Sequence, residues 1–305
     1  MRAFLLRRLI RTVVVLWGIS TIVFVVMRLS GDPIVLILPP DAPTAEVFRV
    51  RREMGLDEPL WVQYLVFLRN AIRGDFGQSI HFRQPAMAVA LERIPATIQL
   101  AVAAFALAVV MAVPVGIVAA VRRFSLWDHL GMFLALLGQS VPTFFLGILL
   151  LLLFAVWFPL LPIGGTGTPA HLIMPAVTLG AFAMASIARL TRSAMLEVLS
   201  QDYIRTARAK GLKEITVILG HGFRNALIPV VTIMGLQFGT LLGGAVVTET
   251  IFAWPGIGRL AIQSIFNRDY PVVQATVFLA AVAFVAVNFV VDLFYAVLDP
   301  RIRYE

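Results

Sequence analysis

Residues 97–121, TIQLAVAAFALAVVMAVPVGIVAAV, hold 25 consecutive positions without a charged side chain. As a helix rising 1.5 Å per residue such a run is about 37 Å long, more than the roughly 30 Å of hydrocarbon in a bilayer. Every backbone polar group at that depth must be paired within the segment, and a barrel strand would instead alternate over about ten residues, so the run reads as a membrane helix. Working outward, comparable runs stand at 9–29, 130–157, 172–195, 227–251 and 272–298, giving six expected spans. The whole chain agrees: 60% hydrophobic and 14% charged residues leave too little polar surface for a water-soluble globule of 305 residues.

The excess of 25 Lys and Arg over 17 Asp and Glu would suggest nucleic acid in a soluble protein. Here the cations stand beside the apolar runs: Arg2 to Arg11, Arg122 and Arg123, Arg189 through Arg224, and Arg301 with Arg303 all fall on one side. The positive-inside rule makes that side cytoplasmic, with both termini inside and no nucleic-acid partner. Arg2, Arg7, Arg8 and Arg11 before an apolar run also suit a signal peptide, but no small-residue cleavage site follows, so the first run is read as a membrane helix.

Three regions follow: 1–30, the cytoplasmic N-terminus and first span; 31–96, extracytoplasmic; and 97–305, the core, with a cytoplasmic region at 196–226. In the second, Pro59 opens a helix, Leu60, Tyr64, Phe67, Leu68, Ala71 and Ile72 recur at helical spacing, and Gly74 ends it. An amphipathic helix on the outer membrane face or capping the bundle is expected, with a ligand-contacting lid as the alternative.

Between the fourth and fifth spans lies QDYIRTARAKGL, residues 201–212, followed by RNALIP at 224–229. A positive loop that only anchors topology is one reading. The other is docking: Thr206, Ala207 and Ala209 admit a neighbouring backbone, while Arg205, Arg208 and Lys210 offer donors to an acidic or carbonyl-lined groove.

Polar groups inside spans mark either a pathway or interhelical glue, and the candidates are Gln139, Ser140, Pro142, Thr143, Gln237 and Asn288. Asp292 is expected to pair with a cytoplasmic arginine. Gly235, Gly239, Gly243 and Gly244 permit close helix crossing, within the chain or against another subunit. Trp254-Pro255-Gly256-Ile257-Gly258 reads as an aromatic interface anchor with a tight turn, or as a plug or docking surface. Zero cysteines and the scattered His81, His171 and His221 predict no metal site, and no GxxxxGK[ST] loop is present to cradle phosphates.

Residues 202–212 resemble the cytoplasmic coupling motif of ABC importer permeases of the dipeptide, oligopeptide and nickel branch, and the glutathione-importer members are especially similar. Further stretches match that branch in order: Gly31-Asp32-Pro33, Gly55-Leu56-Asp57 with Gln63-Tyr64, Gly74-Asp75-Phe76-Gly77 with Ser79, Ala253 to Arg259, Arg268-Asp269-Tyr270-Pro271, and Asp299 to Tyr304. The chain departs from the general permease motif, where Glu-Ala-Ala precedes a glycine; here Arg205, Thr206 and Ala207 precede Gly211, and Pro229 falls later, a variant the peptide branch shares.

The resemblance implies an all-α, six-helix type I importer permease in a bacterial inner membrane. It implies a second homologous permease, two ATPase subunits that bind the ATP and Mg, and an extracytoplasmic substrate-binding protein. The permease itself is expected to be non-catalytic and free of cofactor. Asp202, Tyr203, Arg205, Thr206, Ala207, Arg208, Lys210 and Gly211 are the implied ATPase-coupling residues, and short peptides or glutathione the implied cargo, with a nickel chelate or another small solute as the alternative. A stand-alone secondary transporter would want inverted repeats and intramembrane ionisable groups, and a membrane enzyme would want converging catalytic side chains.

Overall fold

The computed structural model describes residues 2–29, 34, 42–53 and 55–298, and their side chains except at 2–9, 53, 242 and 292–298. The motifs at Gly31-Asp32-Pro33 and Asp299 to Tyr304, and the pairing expected of Asp292, lie outside the described residues. The chain is helical throughout the described residues apart from turns and one isolated bridge, Gln78 to Pro85. In order the helices are α1 (Arg2–Leu29), α2 (Thr44–Glu53), α3 (Leu60–Ile72), α4 (Ala86–Leu91), α5 (Ile94–Val121), α6 (Leu126–Ser140), α7 (Thr143–Leu151) continued by a π turn (Leu152–Trp157), and α8 (Ala170–Leu199). Then come α9 (Asp202–Ala209), a π helix (Thr216–Phe223), α10 (Arg224–Ile251), α11 (Ile257–Phe266) and α12 (Tyr270–Leu298).

Among the described residues, five helical stretches are long and apolar enough to cross a membrane, and a sixth crossing arises if α6 and α7, bent by 108°, count as one. The span expected as a single run at 130–157 is therefore broken. Pro142 has no amide hydrogen and pushes the preceding Val141 out of helical geometry, to φ −80° and ψ 124°. Its start is also earlier than hydropathy suggests, because Ser125 caps α6 by accepting a hydrogen bond from the Asp128 amide.

The chain divides into two compact units, Met1–Pro95 with Gly256–Ala286, and Ala96–Pro255 with Val287–Glu305. In the first, α3 forms where Pro59 and Gly74 bracket it, with Pro59 as N-cap and Gly74 at φ +73°. Tyr64, Phe67 and Ala71 turn inward, and Tyr64 Oη lies 2.6 Å from Thr21 Oγ1 on α1. A chain of aromatic rings, Phe24 to Phe67 to Phe76 to Phe278, links α1, α3, the following turn and α12. Leu60, Trp61, Leu65 and Ile72 remain exposed, so α3 caps this unit with one face and keeps apolar surface on the other.

In the second unit α5 and α8 meet along a seam of small residues. Ala104, Ala108 and Ala112 face Leu179, Ala183 and Ile187. The approach is backbone to backbone: a Cβ on Gly180 would stand 2.8 Å from the Ala104 carbonyl oxygen, and one on Gly116 2.7 Å from that of Ala188. Large apolar side chains such as Val110, Phe133 and Leu236 stay exposed, as expected of helices whose outer faces meet lipid rather than water.

Candidate functional site

The coupling candidates form a helical hairpin on the second unit. Residues 202–209 are helical, and Gly211 at φ +72° supplies the left-handed turn that releases the chain toward the π helix. Ile204 and Ala207 are buried against Val217, with Val198 and Leu199 of α8 packed around them. The hairpin is thereby fastened to the end of α8 and, through the π helix that runs straight into α10, to the next long helix.

Burial divides the eight coupling candidates. Ala207 turns inward, so its small size serves the packing of the hairpin and not the admission of a neighbouring backbone. Asp202, Tyr203, Arg205, Thr206, Arg208, Lys210 and Gly211 are exposed. Arg208 is already engaged: its Nη2 donates to Glu214 Oε1 at 2.7 Å and its Nε lies 3.2 Å from both carboxylate oxygens, bracing the two arms of the hairpin. The hydrogen bond from Arg208 holds the Glu214 carboxyl below the usual glutamate range and raises the guanidinium further. Arg205 makes a looser contact to Asp202 at 3.3 Å. Tyr203, Thr206 and Lys210, with Arg205, are what the hairpin presents outward.

The path candidates divide as well. Gln139, Ser140, Pro142 and Thr143 cluster at the break between α6 and α7, with Ser140 and Pro142 exposed. Gln237 is buried in α10, its side-chain oxygen 3.3 Å from Thr240 Oγ1. Asn288 stands beside Gly239, whose Cβ, were there one, would lie 3.1 Å from Asn288 Oδ1. Gly243 has open space around it, while a Cβ on Gly244 would make ordinary contact with Leu179. Among the described residues no group of three His, Cys, Asp or Glu side chains is arranged to hold a metal.

Three buried polar contacts escaped the sequence reading. Asp128 accepts from Arg192 Nε at 2.6 Å and Nη2 at 2.7 Å, tying α6 to α8. Glu249 is fully buried in α10 and accepts from Thr97 Oγ1 at 2.6 Å. Asp269 accepts from Ser79 Oγ and from the Ile80 and His81 amides. Glu249 was visible as an acid inside an apolar run, and Ser125 with Asp128 as a helix start; their partners, 152 and 64 positions away, were not. Trp254 is no interface anchor: it is 2% exposed in the core, and its Nε1 donates to the Ala96 carbonyl at 2.8 Å.

Two family models, a binding-protein-dependent transport system inner membrane component and the N-terminal part of such a membrane component, match residues 112–304 and 1–110. The glutathione transport system permease protein GsiC of Escherichia coli K12 is 45% identical over 303 residues, 99% of each chain, and that of Salmonella typhimurium LT2 is equally similar. Among solved structures, inward-facing forms of the MetNI methionine ABC transporter share the fold, with a TM-score of 0.60 at 19% identity over 70% of this chain and 97% of the other. The chain belongs to the family of binding-protein-dependent transport system inner membrane components, as a multi-pass permease subunit of an ABC importer in a bacterial inner membrane.

Proposed function

We propose that this permease pairs with a second homologous permease to import short peptides, glutathione among them, delivered by an extracytoplasmic binding protein and driven by two ATPase subunits that carry the ATP and Mg. The cargo reading rests on the near full-length similarity to glutathione permeases. In this reading α6 and α7 together make one of six crossings, both termini are cytoplasmic, and the chain holds no cofactor and catalyses no reaction. The observation that carries the coupling role is the hairpin itself: Tyr203, Thr206 and Lys210 project outward from a base of Ile204, Ala207 and Val217 that is locked to α8 and to the π helix leading into α10.

The test is ATP-driven uptake of labelled glutathione by vesicles carrying the complete importer. Ala207→Leu has no room beside Val217, so it tilts the hairpin while leaving the apolar spans untouched. ATP hydrolysis is expected to continue while uptake falls at least about tenfold, the effect of a displacement costing about 1.4 kcal/mol of coupling. Full uptake in that variant, or gradient-driven transport by the chain alone, defeats the reading.

A further inference from the structure

Helix α3 belongs to the unit formed by residues 1–95 and 256–286, and its side chains divide by direction. At about 100° per residue, Tyr64, Phe67 and Ala71 fall on one side, the side that packs on the rest of the unit. Trp61, Leu65 and Ile72 gather within about 40° of one another, roughly a quarter turn away, and all three are exposed. Gln63 and Asn70 fall opposite them. Gln63 Nε2 donates to the Leu56 and Glu58 carbonyls, so the loop carrying Asp57 and Glu58 stands on that flank. The helix thus has an apolar edge and a polar edge on opposite sides, each roughly at right angles to the face that packs.

The attachment of α3 sets its level. Tyr64 Oη lies 2.6 Å from Thr21 Oγ1, and the Tyr64 and Phe67 rings stand 5.3 and 5.4 Å from the ring of Phe24. Arg28 is the last charged residue of α1, so at 1.5 Å per residue these contacts lie about 6–10 Å below it along the helix. Phe76, in the turn after α3, packs on Phe278, about 12 Å along α12 from Tyr270, where that apolar stretch begins. Both spans therefore hold α3 and its following turn below their ends. Next to Thr21 and Phe24, α1 turns Ile22, Val25 and Val26 outward, so the exposed edge of α3 continues an apolar surface already present at that depth.

We infer that α3 is a monotopic helix seated in the outer leaflet of the bilayer, with Trp61, Leu65 and Ile72 in the acyl region and the Gln63 and Asn70 edge toward water. The level of about 6–10 Å is that at which such helices lie, roughly 5–10 Å into the boundary between headgroups and acyl chains, whereas a protein arriving from the extracytoplasmic side docks above the headgroups. Arg69 and Arg73 point away from the unit, and their long stems bring the charge back to headgroup level while the carbons stay in apolar surroundings. The choice of leaflet rests on the topology read above, with both termini cytoplasmic.

The chain has no cysteine, so Trp61→Cys, Leu65→Cys, Ile72→Cys, Asn70→Cys and Glu58→Cys can each carry a single nitroxide without background. In the complete importer, reconstituted in nanodiscs of phosphatidylethanolamine and phosphatidylglycerol, electron paramagnetic resonance compares collisions with oxygen, which concentrates among acyl chains, and with a water-soluble nickel chelate. Labels at 61, 65 and 72 are expected to report depths of about 5–10 Å below the phosphates, and those at 58 and 70 free access to the chelate. Chelate access at 61, 65 and 72 equal to that at 58 overturns the insertion. So does occlusion from both reagents, which would put a second permease or a binding protein on the face. If one variant fails to assemble, the two remaining apolar positions decide. A membrane-impermeant maleimide added to intact cells should also reach Glu58→Cys. Labelling only after the cells are opened overturns the outer-leaflet assignment through the topology, whereas a solvated profile with labelling from outside removes the insertion and leaves the topology standing.

Discussion

Adding one methyl group at Gly116, Gly180 or Gly18 is expected to change stability in opposite directions. Replacing glycine by alanine inside a helix ordinarily stabilises it by about 1 kcal/mol. At Gly18 of α1 nothing lies within 4 Å of the new carbon, so that gain should be realised in full. At Gly180 the carbon would stand 2.8 Å from the Ala104 oxygen, and at Gly116 2.6 Å from Thr191 Cβ and 2.7 Å from the Ala188 oxygen. Two of these three atoms are backbone, so relief requires α5 and α8 to move apart by about half an ångström, which forfeits roughly a quarter of the dispersion attraction along the seam. Overpacking of this kind costs about 1–3 kcal/mol, here toward the upper end, so each variant should lose about 2 kcal/mol net after the helical gain. The double variant should lose less than the sum, because one separation relieves both clashes. SDS-induced unfolding of the purified chain, followed by the fluorescence of buried Trp254, measures this. If Gly116→Ala and Gly180→Ala behave like Gly18→Ala, the two helices do not cross in backbone contact.

Asp128→Ala should destabilise the chain by about 2–3 kcal/mol in the same assay, below the full cost of breaking a buried pair because Arg192 keeps 25% of its side chain exposed. Removing Arg192 as well should restore part of the loss, and strict additivity would refute the coupling. Trp254→Phe removes the indole hydrogen bond to the Ala96 carbonyl, which lies within α5, and should cost about 0.5–1.5 kcal/mol by circular dichroism; a neutral result would mean the indole bond is dispensable. Because the folded carboxyl of Glu214 titrates lower than the free one, the brace to Arg208 is fully present above the ordinary glutamate value and is lost only as pH falls through the lowered one. The carbon-13 carboxyl titration of Glu214 should therefore have its midpoint below the ordinary value and return to it in Arg208→Gln; an ordinary midpoint in the unaltered chain would discard the brace.

What the sequence made legible was set by local rules. Apolar length located the helical stretches, and Pro59 and Gly74 bounded α3, since each depends only on neighbouring residues. The hairpin's exposed residues were also readable as a group, but not which of them face inward: Ala207 points into the fold because Val217 returns over it, a contact made by the turn and not by composition. The same limit hid the seam. The glycines of α10 stood out by spacing, whereas Gly116 and Gly180 lie on separate runs and reveal their purpose only when those runs cross. Trp254 misled for a related reason, since an aromatic at a span's end usually marks the interface, and only the nearness of Ala96 makes it core.

The angle at Val141 and Pro142 has a consequence in hydrogen-bond accounting. Each leg, α6 on one side and α7 with its π turn on the other, is about 22 Å long, so neither alone reaches across roughly 30 Å of hydrocarbon. Pro142 offers no donor to the Gly138 carbonyl one turn back, and the first amides of α7 have no preceding turn to bond. Lipid tails can satisfy none of these groups, so the corner must be surrounded by water or by polar protein. A straight helix through this point would have closed the membrane there; the bent one obliges it to stay wet.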